Sequence, residues 1–429
     1  MRYFIFSLLA VFAVAVSAAP KPPAPGPQEI VLRHDLSGDA SALLIDLAER
    51  FNAEGKTDRL VVEHLSMVPD PHRLPHLVLL DDDEHARFFD GRPRMLPLYK
   101  AMAEGGQKLD PARLLPVMAD AIDDDRRRLR ALPLAFSVPV LYYNRDAFRK
   151  AKLDPQQPPA TWWTLQTAAG TLFDAGIRCP FTSSNPAWVQ MENVTTQHNE
   201  PLANAERGGK TRLALNGLVQ VKHVALLASW HKSFYFHYFG RGREADQKFA
   251  AGTCAMLTSD SALYAQLARS RPFDLGVAAM PHYDDVRGAA PGRVLPDGAA
   301  LWVLAGKKKP EYAAVARFVS FMLRPDVQRV WVRTTGYLPM IPEAVDALAA
   351  EGDAPEALRK LARGLAEKKL VTGARPRFVL GLERARAILN EELESVWANR
   401  KPAKEALDSA VARGNAALQP LPPDGAGGK

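Results

Sequence analysis

The stretch L-A-F-S-V-P-V-L-Y-Y-N, residues 134–144, decides the fold of this 429-residue chain. It is apolar and aromatic almost throughout, which is typical of a buried strand. We interpret it as one long strand that passes between two lobes of the protein. Further along, P-P-A-T-W at 158–162 precedes an amphipathic pattern, and Thr161 is the candidate N-cap of that helix.

The segment before this crossing predicts a parallel sheet. Residues 29–36 and 59–65 have the composition of strands, and residues 77–80 form a short, wholly apolar strand. Between the first two, apolar residues recur at helical spacing, namely Leu43, Leu44, Leu47, Ala48 and Phe51. Because strand, helix, strand is the repeating unit of parallel sheets, the predicted fold class is α/β.

The beginning of the chain has the pattern of a cleaved export signal. A short basic start is followed by an apolar run over residues 4–16 and by the small residues Val16-Ser17-Ala18, so residues 1–18 are predicted to be a signal peptide. No cysteine directly follows the run, and the expected product is therefore a soluble periplasmic protein that is not a lipoprotein. Residues 19–27 read as a Pro-rich linker, and residues 418–429 as a disordered tail.

Composition excludes some classes of function. The chain is 47% hydrophobic and 24% charged, which is ordinary for a globular protein of two or three domains of about 150 residues each. Its net charge of +7 comes from Lys and Arg that are scattered among acids, whereas a nucleic-acid binder concentrates its basic residues in a patch. We therefore expect no nucleic-acid partner and a modest preference for small anionic ligands.

Cys179 and Cys254 are the two cysteines of the chain. Two are too few to hold a disulfide scaffold together, so stability must come from the hydrophobic core. Each cysteine lies in a strand-like context. One disulfide bridge and two buried thiols both remain consistent with the sequence.

Several separated segments resemble one family. They are V-P-V-L-Y-Y-N-R-D-A-F at 138–148, L-D-P at 153–155, P-P-A-T-W at 158–162, T-G-Y-L-P at 335–339 and E-E-L-E-S-V-W at 391–397. Together, in order and spacing over residues 130–417, they resemble the solute-binding proteins of ABC transporters (extracellular solute-binding protein family 1). Within that family the similarity is greatest to proteins that serve importers of phosphate esters.

The resemblance implies a two-lobed α/β clamp of type II, similar to maltose-binding protein, which closes about a hinge on one small molecule. It implies a first lobe of residues 28–136 plus 284–335 and a second lobe of residues 137–283 plus 336–417. It implies ABC-transporter permease subunits as membrane partners. We further expect a monomer that has no cofactor and performs no chemistry on its ligand.

The resemblance also implies a binding site. The family positions that grip the ligand, largely at its phosphate, fall on Ser137, Gly298, Tyr337 and Arg386. A phosphate monoester offers several acceptor oxygens and nearly two negative charges, so hydroxyls, a backbone N–H and a guanidinium suit it. The expected ligand is sn-glycerol 3-phosphate or a glycerophosphodiester.

Other positions depart from the family pattern. A family serine aligns with Asp260, and a shift of one residue would place the hydroxyl at Ser261. The acid that reads glycerol hydroxyls falls on Asp82, where the family has Glu. Trp188 is a candidate for stacking on the ligand. The phosphate half of the site is thus predicted to be kept and the other half to be rebuilt.

Alternative functions rest on weaker patterns. Histidines near the acids of residues 81–84 could bind a transition metal, although their spacing fits no zinc motif; they are His64, His72, His76 and His85. A metal-binding or sensor protein on the same clamp is therefore an alternative, as is a binding protein for another polyol or sugar. Neither Gly-x-Ser-x-Gly nor His-Glu-x-x-His occurs, which argues against a hydrolase.

Overall fold

The computed structural model describes residues 26–65, 74–81, 95–124, 126–206, 211–289, 293–350, 359, 363–365, 379–380 and 382–420. The predicted signal peptide, most of the Pro-rich linker, residues 421–429 and Asp82 lie outside this range. No helix in the described part of the chain has the length and apolar character needed to cross a membrane.

The strands follow one another as β1 Gln28–His34, β2 Asp58–His64, β3 Leu77–Leu80, β4 Met95–Leu96, β5 Leu132–Ser137, β6 Pro139–Asn144, β7 Cys179–Ser183, β8 Ala203–Ala205, β9 Thr211–Leu213, β10 Phe236–His237, β11 Cys254–Asp260, β12 Leu275–Ala279, β13 Asp297–Leu304, β14 Val379–Leu380 and β15 Gln419–Pro420. Among the described residues, two larger sheets form. The first has the order β2-β1-β3-β13-β4, with β5 also on β13, and the second has the order β10-β7-β11-β6-β12.

The helices are α1 Gly38–Glu54, α2 Leu98–Glu104, α3 Pro116–Ile122, α4 Arg145–Lys150, α5 Trp162–Asp174, α6 Asn193–Gln197, α7 Leu218–Lys232, α8 Glu244–Ala250, α9 Leu263–Ser270, α10 Lys309–Met322, α11 Pro325–Thr335, α12 Pro342–Ala350, α13 Leu382–Trp397 and α14 Ala403–Ala417. The predicted N-cap is confirmed: the Thr161 hydroxyl accepts from the Thr164 N–H in a capping box. A π-helical turn, Ala187–Glu192, precedes α6.

The stretch at 134–144 crosses between the two sheets, but as two strands. β5 pairs with β13 in the first sheet, whereas β6 pairs with β11 and β12 in the second. Val138 separates them: its N–H donates to Ser261 Oγ (3.3 Å) and its carbonyl accepts from the Ser261 N–H (2.8 Å). The prediction of a single long strand was wrong because the chain changes sheets at this residue.

Three apolar cores accompany the two sheets among the described residues. The first core surrounds the sheet that contains β1, and we call this part the first lobe. The second core and a smaller third core pack on the sheet that contains β7 and define the second lobe. Leu338, Met340 and Ile341 pack in the first core, together with Ala344 and Val345. The predicted assignment of residues from 336 onward to the second lobe therefore needs correction: the segment through α12 lies on the first.

The second crossing is also later than predicted. Residues 284–289 were assigned to the first lobe, yet Tyr283 and Leu295 pack in the second core. Lys222 Nζ contacts Asp285 (2.8 Å), and the Asn199 side chain donates to the Gly288 carbonyl (2.6 Å). These contacts hold residues 284–289 to the second lobe. The chain passes to the first lobe at Val294 and Leu295, which pack in the first and second cores respectively, and continues into β13.

Two further expectations concern the ends and the cysteines. Gln419–Pro420 pairs antiparallel with Val379–Leu380, so the part of the predicted tail before residue 421 is ordered.

Cys179 and Cys254 occupy the same register on the parallel strands β7 and β11, with Cα atoms 4.5 Å apart, and form a disulfide. The bridge, rather than two thiols, is what the fold contains.

Candidate functional site

A cleft of about 640 Å³ lies between the two lobes. The first lobe contributes the loop after β1, the ends of β3 and β5, and the start of β13. The second lobe contributes the π-helical turn, the loop before α8, the end of β11 and one face of α13. The lining mixes arginines with carboxylates, so the cleft suits a polar ligand.

Ser137 and Gly298 meet where β5 runs beside β13. Asp297 pairs with Ser137 and Gly298 with Phe136 in the antiparallel register. Gly298 has φ +143°, and a Cβ there would lie 2.1 Å from the Ala135 carbonyl oxygen. Only glycine fits this position, which keeps the backbone of β13 open to the cleft.

Tyr337 reaches the cleft from the turn after α11. Gly336 has φ +76°, and a Cβ on it would lie 2.6 Å from the Ala262 carbonyl oxygen, so glycine is required for this close approach between lobes. The Tyr337 ring stacks on Trp331 with centroids 6.1 Å apart. Burial, assisted by the Asp260 carboxylate, raises the pKa of the Tyr337 hydroxyl to about 12. The hydroxyl therefore stays protonated and can donate at neutral pH.

Arg386 lies on the cleft face of α13 and is held by two carboxylates. Its Nε and Nη2 donate to Glu192 Oε1 and Oε2 at 2.6 and 2.7 Å, and its Nη1 lies 2.6 Å from Asp297 Oδ2. Glu192 is buried at the end of the π-helical turn. Such paired, charge-assisted bonds fix the plane of the guanidinium.

Trp188, on the same π-helical turn, forms part of the cleft wall. Its indole Nε1 donates to the Leu295 carbonyl at 3.1 Å, and Asn193 Oδ1 accepts from the Leu295 N–H at 2.7 Å. The indole is therefore fixed against the segment that leads into β13. π-helical turns are often found at functional sites.

One predicted residue, Ser261, is not in the lining, and another lies outside the described residues. Ser261 is buried, and its hydroxyl accepts from the Val138 N–H instead of facing the cleft. Asp260 lines the cleft in its place. Asp82 lies outside the described residues, although its neighbour Asp81 is in the lining.

A second charged cluster, which was not predicted from the sequence, lies at the cleft. Arg243, in the loop before α8, lies 2.6 Å from Asp260 Oδ2 and 3.0 Å from Asp246 Oδ2, and these carboxylates, Asp260 first, raise the pKa of Arg243. Burial raises the pKa of Asp246. Nearby Arg241 also lines the cleft and binds Glu394. The alternating glycines and arginines of residues 240–243 were the available signal.

The histidine pattern does not form a metal site in the described residues. There, no group of three or more His, Cys, Asp or Glu side chains could hold a metal ion. His76 Nδ1 accepts from the Val31 N–H and its Nε2 lies 2.8 Å from Glu311, which is a structural role. His72 and His85 fall outside the described part of the chain.

Comparison with known proteins gives consistent matches. Residues 79–359 match the family model of bacterial extracellular solute-binding proteins. The sn-glycerol-3-phosphate-binding periplasmic protein UgpB of Escherichia coli K12 is 33% identical over 90% of this chain and 91% of its own length. The protein of the same name from Salmonella paratyphi A is 36% identical over 75% of both chains.

Solved structures share the fold. UgpB from Mycobacterium tuberculosis in complex with glycerophosphocholine superposes with a TM-score of 0.70 at 20% identity, covering 92% of this chain and 99% of that one. The cyclic alpha-maltosyl-1,6-maltose binding protein of Arthrobacter globiformis gives 0.70 at 19% identity, covering 91% and 99%. The predicted two-lobed α/β clamp is confirmed. The chain belongs to the family of bacterial extracellular solute-binding proteins.

Proposed function

We propose that this chain is the periplasmic binding component of an ABC importer and that it captures a glycerol phosphate ester. The ligand is sn-glycerol 3-phosphate or a glycerophosphodiester. The curated relatives described above are named for binding sn-glycerol 3-phosphate, and they align with 90% and 75% of this chain.

One observation carries the proposal. Ser137, Gly298, Tyr337 and Arg386 come from four distant segments and line the same cleft. They offer two hydroxyls, a backbone N–H and a guanidinium, which is the donor set that a phosphate group requires. Trp188 adds an apolar face against which the carbon chain of the ligand can pack.

The remaining parts of the proposal follow the family. The chain is exported by cleavage of its signal peptide, carries no lipid, works as a monomer and delivers its ligand to permease subunits. It needs no cofactor, binds no nucleic acid and leaves the ligand chemically unchanged. Capture proceeds by closure of the two lobes about the crossings at Val138 and at the start of β13, as hinged domains do.

A polyol or sugar is the second candidate. The cleft lining includes the carboxylates of Asp35, Asp81 and Asp260, and carboxylates accept hydrogen bonds from ligand hydroxyls. Such a ligand would not need Arg386. The metal-binding or sensor alternative has less support, since the described residues contain no group of three or more His, Cys, Asp or Glu side chains that could hold a metal ion.

A ligand panel tests the proposal. Thermal shift with sn-glycerol 3-phosphate, a glycerophosphodiester, glycerol, ribitol and maltose should show stabilisation by the phosphate esters alone. At 100 times its dissociation constant, a ligand adds about 2.7 kcal/mol to the free energy of unfolding. Stabilisation by ribitol or maltose without any response to the esters would reject the phosphate-ester proposal and favour the second candidate.

A further inference from the structure

Asp297 places a carboxylate beside the residues proposed to hold the phosphate. It is the first residue of β13, directly before Gly298, and it pairs with Ser137 in the strand register. Its Oδ2 lies 2.6 Å from Arg386 Nη1. Three of the four proposed phosphate contacts are thus immediate neighbours of an acid that the sequence analysis did not single out.

The two carboxylates on Arg386 are placed differently. Glu192 binds Nε and Nη2 and is buried behind the cleft wall, whereas both Asp297 and Arg386 are part of the lining. The Asp297 side of the guanidinium is therefore the side that faces the cleft. An anion that binds Arg386 from the cleft must approach this carboxylate or displace it.

We propose that Asp297 determines specificity among phosphate esters by disfavouring a second negative charge on the phosphate group. This inference rests on the proposed function. A phosphate monoester carries about 1.5 to 2 negative charges at neutral pH, because its second pKa is about 6. A phosphodiester carries one. The cleft then prefers monoanionic diesters to dianionic monoesters.

Burial makes this discrimination effective. The side chains of Arg386 and Asp297 are 15% and 14% exposed, so water screens the repulsion between Asp297 and the ligand only partly. Like charges brought together at a binding interface weaken affinity strongly, and one additional charge should change the dissociation constant by about 10- to 100-fold.

A different role for Asp297 predicts a different result. If its carboxylate accepted a hydrogen bond from a glycerol hydroxyl, its replacement would weaken both classes of ester to the same extent. If it discriminated by charge, its replacement would improve binding of the dianionic monoester more than binding of the monoanionic diester. The ratio of the two dissociation constants separates these roles.

Isothermal titration calorimetry of the mature protein at pH 8 tests the proposal with sn-glycerol 3-phosphate and its methyl diester. Wild type should bind the diester more tightly, and Asp297→Asn should reduce the diester-to-monoester preference at least tenfold, mainly through tighter monoester binding. Asp297→Ser should behave in the same way, and melting curves without ligand verify that both variants fold. Asp408→Asn, which removes the same charge from the surface of α14, should keep the wild-type ratio.

An unchanged ratio in both Asp297 variants, or equal weakening of both esters, would overturn the charge discrimination while leaving the proposed function in place. If neither ester bound wild type, the proposed function itself would fail, and this inference with it.

Discussion

Arg386 and Arg243 line the same cleft, and each is held by two carboxylates, yet their surroundings differ. The Arg386 side chain is 15% exposed and lies between Glu192 and Asp297. The Arg243 side chain is 53% exposed and covers Asp246 and Asp260, which are themselves buried. At the first site the guanidinium and both carboxylates are largely buried, whereas at the second only the carboxylates are.

This difference indicates different roles. A buried guanidinium in a fixed plane is suited to bind an anion from the cleft, since little orientation remains to be lost on binding. An arginine that covers buried acids mainly compensates their charge, because uncompensated buried charges are strongly destabilising. We therefore propose that Arg386 serves chiefly in ligand binding and Arg243 chiefly in stability.

The largest expected effect is on ligand affinity at Arg386. Truncating one partner of a buried charge pair costs about 2–5 kcal/mol, so Arg386→Ala should weaken phosphate-ester binding by about 1.5 to nearly 4 decades, measured by calorimetry. Arg386→Lys should recover part of this loss, since a point charge cannot replace the planar fork. Arg384→Ala, an exposed arginine on the same helix, is the control. Wild-type affinity in Arg386→Ala would exclude this residue from the site.

The next effect is on stability at Arg243. Arg243→Met should lower the free energy of unfolding by about 2–3 kcal/mol at pH 7.5. This is somewhat less than the loss expected when a fully buried ion pair is broken, because Arg243 is half exposed. Burial raises the pKa of Asp246 in the folded protein above that in the unfolded chain. The free energy of unfolding therefore falls as the pH rises from the ordinary carboxyl range through the raised pKa, because the buried carboxyl must ionise. Loss of Arg243 raises that pKa further. The destabilisation should therefore grow from pH 4 to pH 7.5 in urea titrations, and a pH-independent difference would contradict the compensating role.

A smaller effect separates two serines. Ser137→Ala should weaken phosphate-ester binding about 3- to 10-fold, which corresponds to a lost hydrogen bond of about 0.5–1.5 kcal/mol. Ser261→Ala should instead reduce the free energy of unfolding by a similar amount and leave ligand affinity nearly unchanged, because the Ser261 hydroxyl accepts a hydrogen bond from the Val138 N–H. Calorimetry and urea unfolding of both variants measure the two quantities. The opposite pattern would restore Ser261 as a ligand contact.

The smallest effect concerns an arginine at the surface between the lobes. Arg269 on α9 pairs with Asp39 on α1, and its Nη1 donates to the Thr334 carbonyl at 3.2 Å. Both charged side chains are more than half exposed, so Arg269→Ala should change ligand affinity less than about fivefold, and only at low salt. Arg149→Ala, whose ion pairs stay within the second lobe, is the matched control. A larger effect that persists in 1 M salt would show that this pair governs closure.

Some residues around Arg386 could be predicted from the sequence, and others could not. Arg386, Tyr337 and Ser137 could be located because each lies in or near a family motif. Glu192 is 194 residues away from Arg386 along the chain, and no local pattern announces such a contact. Asp297 was not predicted because the family position falls on its neighbour, Gly298.

The fold shows the same limit. Local periodicity located α1 and the Thr161 cap, since those depend on neighbouring residues. The division of 134–144 into β5 and β6 depends on which sheet each half joins, and this is decided by β13 and β11 far along the chain. Likewise, the lobe to which residues 284–289 belong is fixed by contacts with Lys222 and Asn199 rather than by their own composition.

A crystal structure of the protein grown with sn-glycerol 3-phosphate tests the central claim most directly. The account predicts a closed cleft with the phosphate oxygens within about 3 Å of the Arg386 guanidinium, the Ser137 and Tyr337 hydroxyls and the backbone N–H at Gly298. A phosphate bound at Arg243 instead, or an ester found outside the cleft, would contradict it.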